Sequence, residues 1–291
     1  MSNSLIAMIY GIVGSVLFNV SKGMQRQSID ALSFIFRKRG KRRAGEGRSG
    51  SAKIAALYAT GFVLNNSLGL FAILANRYAP SSYYTSMFGT GMIALMLYSG
   101  IILREPIHPL QYAGAAVLTL GTLILGYDGI VREQMTMGST NLPVAAVVIG
   151  VSLLAGLLLF VYARRTRSLL VLGVVSGLLI GFAASLDPVL KGIGQNLGGG
   201  GRYLPKLSLG WFIFLASFLF ATLSFASSQW IFSRGVRASV LLPSQNFAYI
   251  AYPIFFQAIS LSGYRLTPYT WLGLFITILG IVIMQAMIKK D

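Results

Sequence analysis

The chain has 291 residues, of which 55% are hydrophobic and only 11% charged, where a soluble domain carries about 25% charged residues. That excludes an ordinary soluble protein. Lys and Arg number 24 against 7 Asp and Glu, a formal net charge of +17, and these charges are gathered into short intervals.

Between the intervals lie nine uncharged stretches of 19 residues or more: 1–21, 54–76, 78–103, 109–127, 134–163, 168–186, 207–233, 238–264 and 266–288. A helix rises ~1.5 Å per residue, so about 20 apolar residues cross ~30 Å of hydrocarbon, and each stretch predicts a transmembrane helix. Runs such as 213–221 and 272–283 are apolar on every side, which sets aside a transmembrane barrel with its alternating strands. The sequence has no cysteine and one histidine, His108, so thiolate metal sites, disulfides and His-based triads are excluded.

In chain order, no basic residue precedes Lys22, and the first stretch reads as a retained span rather than a cleaved leader. The apolar residues of 27–36 predict a surface helix in preference to a tenth crossing, because ten helical residues reach only ~15 Å. Residues 37–53 hold a basic run interleaved with Gly40, Gly45, Gly47 and Gly50. They read as a cytoplasmic loop whose charge fixes topology, with anionic lipid as its nearest ligand class and no nucleic acid. With nine spans and the N-terminus outside, 18 Lys and Arg fall on the inner side and 6 on the outer. This is the positive-inside pattern of a multi-pass cell-membrane protein with a cytoplasmic C-terminus.

The two halves resemble each other. Span one ends Val20-Ser21-Lys22-Gly23 and span six region ends Val189-Leu190-Lys191-Gly192. Arg77-Tyr78-Ala79-Pro80 precedes span three, and Arg234-Gly235-Val236-Arg237 precedes span eight. Pro109, Gly114 and Gly121 of span four match Pro268, Gly273 and Gly280 of span nine. The expected fold is an all-α polytopic membrane protein of nine transmembrane helices, ten if 27–36 crosses. It has a first four-helix repeat over 1–127, a connector over 128–167 with its helix at 142–163, and a second repeat over 168–291. One connecting helix between two four-helix units inverts the second, which is the architecture of alternating access.

The segments 14–23, 74–80 and 103–107 (Leu103-Arg104-Glu105-Pro106-Ile107), with a glycine-rich last helix, resemble the small multidrug resistance unit. Duplicated around a connector, the unit is similar to the NIPA-type magnesium transporter branch of the drug/metabolite transporter superfamily. The resemblance implies secondary transport. Where the small multidrug resistance unit places its coupling Glu, this chain has Gly11, and Phe88 stands at the position of the unit's Trp. Asn65 and Asn66 occupy the region where NIPA-type proteins carry an acid.

Polar groups inside a span are costly unless satisfied, so they are the default site candidates. Asp187, beside Pro188, reads as the acid nearest a span interior, coupled to Lys191 four residues on. Asn65, Asn66, Tyr84, Phe88, Gln229, Gln245, Asn246 and Tyr249 are the expected substrate-binding residues, aromatic walls with neutral hydrogen-bonding groups. Residues 198–201 lack the Gly-Lys-Ser/Thr ending of a phosphate loop. The reading is a secondary transporter, not an enzyme, of a small polar or amphipathic organic solute, with or without a coupling ion. It needs no cofactor or metal and works as a monomer or homodimer. A NIPA-type divalent-cation transporter and a membrane scaffold or lipid-binding accessory protein are the alternatives.

Overall fold

The computed structural model describes residues 2–38, 48–132, 139–165, 168–199 and 201–286, and their side chains except at 30–38, 48–51, 163 and 164. The described residues are helical throughout their ordered elements, with no strand among them and a single isolated bridge, Thr140 to Leu261. The helices are α1 (Asn3–Lys38), α2 (Arg48–Asn76), α3 (Ser81–Ile102), α4 (Pro109–Arg132), α5 (Leu142–Arg165), α6 (Leu169–Asn196), α7 (Ser208–Ser233), α8 (Ala238–Ser260) and α9 (Pro268–Ala286). Eight of them, all except α8, are long and apolar enough to cross a membrane. The protein is therefore a multi-pass α-helical membrane protein.

Local chemistry accounts for several boundaries. Pro109 and Pro268 open α4 and α9, where a missing N–H costs nothing because the first turn has no partner for it. Ser168 caps α6 by accepting from the Val171 amide at 3.4 Å. α3 is not uniform: it tightens to 3-10 winding over Ser86–Gly91 and widens to π winding over Tyr98–Ile102. The Ser15 hydroxyl of α1 holds the tight segment, accepting from the Gly91 amide at 2.8 Å and donating to the Phe88 carbonyl.

Three sequence expectations are corrected. Span one does not stop at residue 21, and 27–36 is neither a separate surface helix nor a tenth crossing, because α1 runs unbroken to Lys38. No proline interrupts it, and Lys22, only 1% exposed, is held inside the bundle. The fourth span runs past residue 127 to Arg132, so Asp128 belongs to α4 and not to the connector. The basic loop is shorter than 37–53, since Lys38 ends α1 and Arg48 begins α2; residues 39–47 lie outside the described ones. α6 also passes through Pro188 without breaking.

Within the bundle α1 packs on α2 and α3, α6 packs on α7 and α8, and α4 packs on α9. The helices α3 and α8 lie inside; α5 is peripheral, with 6% of its apolar window buried against 56% for α3. α4 and α9 cross antiparallel on glycines. A Cβ at Gly114 would lie 2.8 Å from the Gly280 carbonyl oxygen, and one at Gly121 would lie 2.8 Å from that of Gly273. Only backbones fit there. Gly280→Ala, whose Cβ would meet the Leu118 amide nitrogen at 2.5 Å, is expected to destabilise the protein by about 1–3 kcal/mol. Gly150→Ala, with nothing within 4 Å of the new methyl, is expected to be neutral or slightly stabilising. Thermal unfolding of the two variants in detergent checks the contrast.

Candidate functional site

A cavity of about 100 Å³ lies where α1, α2 and α3 meet α6, α7 and α8. Its polar lining is Lys22, Asn65, Asn66, Asp187, Lys191 and Ser224. Its aromatic lining is Phe18 and Phe88 on one side, Phe218 and Phe225 on the other, and Tyr249. Phe88 packs against Tyr249 with ring centroids 4.3 Å apart, against Tyr84 at 5.1 Å and against Phe18 at 5.8 Å. The tight winding of α3 includes Phe88, so the irregular backbone sits beside the cavity, where protein rather than lipid surrounds it.

Asp187 and Lys191, one turn apart on α6, form a buried ion pair. The Lys191 ammonium also lies 4.2 Å from the centroid of Phe218. Pro188 cannot donate to the carbonyl of Ala184, and Ala184 lines the cavity. Lys22 has a different environment. Its ammonium lies 5.5 Å from the Phe18 centroid and 5.3 Å from that of Phe225. Among the described residues no carboxylate forms an ion pair with it. Asn66 donates to the Phe62 carbonyl of its own helix at 2.8 Å, while the Asn65 side-chain oxygen has no hydrogen-bond partner among the described residues.

Contacts between the two sets of helices close both ends of the cavity. At one end the Asn76 amide of α2 donates to the Pro188 carbonyl at 2.8 Å, and Gln195 of α6 donates to the Ile73 carbonyl at 3.0 Å. Beyond them a second, wider cavity of about 640 Å³ is lined by Arg77, Ser81, Gly192 and Asn196. At the other end Gln229 of α7 donates to Gln25 of α1 at 2.7 Å and accepts from Tyr58 of α2 at 3.3 Å. Gln25 in turn donates to the Gly61 carbonyl at 2.9 Å.

The expected site residues thus separate. Asn65, Asn66, Phe88, Tyr249, Asp187 and Lys191 line one cavity, and Tyr84 supports it from behind as a fully buried neighbour of Phe88. Gln229 is not a lining residue but part of the Gln25 closure. Asn246 is turned to α1, donating to the Asn19 side chain at 3.0 Å. Gln245 lies fully buried where α8 touches Gly181 of α6, away from the cavity lining.

Two charged features were not expected. The sequence places Lys22 at the inner end of span one, and the match of Lys22-Gly23 to Lys191-Gly192 is the signal that both lysines take the same place in their helices. Asp128, fully buried in α4, is a second intramembrane acid beside Asp187. It pairs with Arg132 at 2.9 Å and accepts from Thr270 at 2.7 Å and from Thr267. Arg132 lies over the Tyr264 ring at 4.4 Å. This second cluster joins α4 to the start of α9 and contributes nothing to the cavity lining. No family model, curated protein or solved structure matches the chain.

Proposed function

We propose that the protein is a secondary transporter of a small polar or amphipathic organic solute, of the drug/metabolite transporter kind. It works by alternating access between two inverted four-helix halves, α1–α4 and α6–α9, with α5 as the connector and α8 as the span that brings the total to nine. The observation that carries this reading is the cavity itself, built by three helices of each half and closed at both ends by hydrogen bonds that run between the halves. Such a site is exposed to either face in turn when one closure opens and the other holds.

The packing supports the inverted repeat. The pairing of α1 with α2 and α3 is matched by that of α6 with α7 and α8. Gly114 meets Gly280 and Gly121 meets Gly273, which is the contact that an in-plane two-fold axis makes between equivalent helices. The charge bias also supports a cytoplasmic C-terminus: without the helix-embedded Lys22, Arg132 and Lys191 it is 17 basic residues against 4. A divalent-cation role fits less well. Among the described residues Asp187 is the only acid lining the cavity, and it already faces Lys191, whereas a hard cation gathers several oxygen ligands, carboxylates among them.

The absence of native cysteines makes a direct test clean. A Cβ at Gly192 would lie 3.3 Å from the Asn76 Cγ, so Asn76→Cys combined with Gly192→Cys places two thiols at disulfide distance. In proteoliposomes carrying out solute counterflow with a panel of metabolites, oxidation of this double variant is expected to stop flux and reductant to restore it. Absence of counterflow by the wild type, or flux indifferent to the cross-link, would refute alternating access through this cavity.

A further inference from the structure

We infer that the solute bears an anionic group, a carboxylate or a phosphate, held in the cavity by Lys22. The inference rests on the transporter reading for its place in a solute path, but the binding it asserts is measurable without transport.

The argument is one of charge. Two lysines and one aspartate line the cavity. Asp187 neutralises Lys191, which leaves Lys22, only 1% exposed, as the cavity lysine without a carboxylate partner among the described residues. Its neighbours are the faces of Phe18 and Phe225. Ring faces attract a cation only weakly, and an ion taken out of water loses more than they return. The aromatic contacts therefore do not offset the burial, and a bound anion does. A cationic solute meets the opposite situation, repulsion from Lys22 and a carboxylate already occupied.

The geometry separates the lysine that can receive the anion, Lys22, from the Asp187–Lys191 pair farther along the same cavity. Phe218 and Phe225 are seven residues apart on α7, two turns along one face, or roughly 10 Å of rise. Lys191 stands over the first and Lys22 over the second. Each lysine thus lies toward one of the two closures, Lys191 toward Asn76 and Lys22 toward Gln25. The Asn65 oxygen, without a partner among the described residues, faces the same cavity as an acceptor for a solute hydroxyl. Phe88 and Tyr249 offer ring faces to the solute's uncharged body.

The test uses the full chain in detergent at constant ionic strength, following its thermal midpoint while inorganic phosphate, succinate or glycerol 3-phosphate is added. Glucose, tetraethylammonium and magnesium are the neutral and cationic controls. At least one anion is expected to raise the midpoint saturably; which one does so separates phosphate from carboxylate recognition. Lys22→Met is expected to weaken that response at least tenfold while leaving the ligand-free protein as stable as the wild type or more so, since an uncompensated charge has been removed. Lys206→Gln, at an exposed loop position, is expected to leave the response unchanged, and Lys22→Gln serves if the methionine variant does not fold. The inference is overturned if no anion stabilises the wild type, if Lys22→Met responds within twofold of it, or if only the cations stabilise. Lys22-dependent anion binding without flux in proteoliposomes would sink the transport reading and leave this site standing. Flux of neutral solutes without anion binding would do the reverse.

Discussion

Asp187→Asn is expected to cost about 3–5 kcal/mol of stability, the loss seen when one partner of a buried ion pair is removed. The cost arises less from the missing attraction than from Lys191, whose side chain is 0% exposed and whose ammonium is left against the ring of Phe218. The double variant Asp187→Asn with Lys191→Met is expected to recover most of the loss, because it removes the stranded charge as well. Chemical or thermal unfolding of the two single variants and the double variant measures the coupling. Losses that simply add would show that the pair is not energetically linked and that the cavity's charge count needs revision.

Asp128→Ala is expected to have an effect of similar size, about 3–5 kcal/mol, for a related reason. Asp128 is fully buried and accepts from Arg132, Thr267 and Thr270. Its removal leaves the Arg132 guanidinium buried, with Nε and Nη1 already without hydrogen-bond partners among the described residues. Asp128→Asn keeps one carbonyl acceptor for the threonines and gives up only the charge, so its expected cost is smaller, about 1–3 kcal/mol. Because this cluster ties α4 to the start of α9 rather than lining the cavity, ligand affinity should change little in whatever fraction of Asp128→Asn folds. A specific loss of ligand response at unchanged stability would place Asp128 in the solute path instead.

The two clusters show how much of the site was legible in one dimension. Asp187 and Lys191 were readable because both partners lie one turn apart on the same helix, so helical periodicity alone brings them together. Asp128 and Arg132 have the same spacing, yet cutting the chain at its charges made Asp128 the end of a span and assigned it to the connector. The threonines that complete its environment lie 139 and 142 residues away in sequence, beyond any local pattern. Gln245 and Asn246 illustrate the converse. Their residue types suit a polar pocket, but a helix points adjacent residues about 100° apart, and both face helix contacts rather than the cavity.

The sequence by itself determined the class of this protein. Long uncharged runs separated by basic clusters leave a chain no stable option except helices in a membrane, because only closed backbone hydrogen bonding survives in hydrocarbon. Its glycine spacing also picked out the positions at which α4 and α9 approach backbone to backbone, Gly114 and Gly121 against Gly280 and Gly273. Tertiary structure alone decided which charges lie inside. A lysine in a sequence announces a cost of burial but not whether distant groups surround it. Lys22 lies inside because Phe225, 203 positions away, closes over it from another helix. Lys22 is thus placed by packing between helices rather than by its neighbours in sequence.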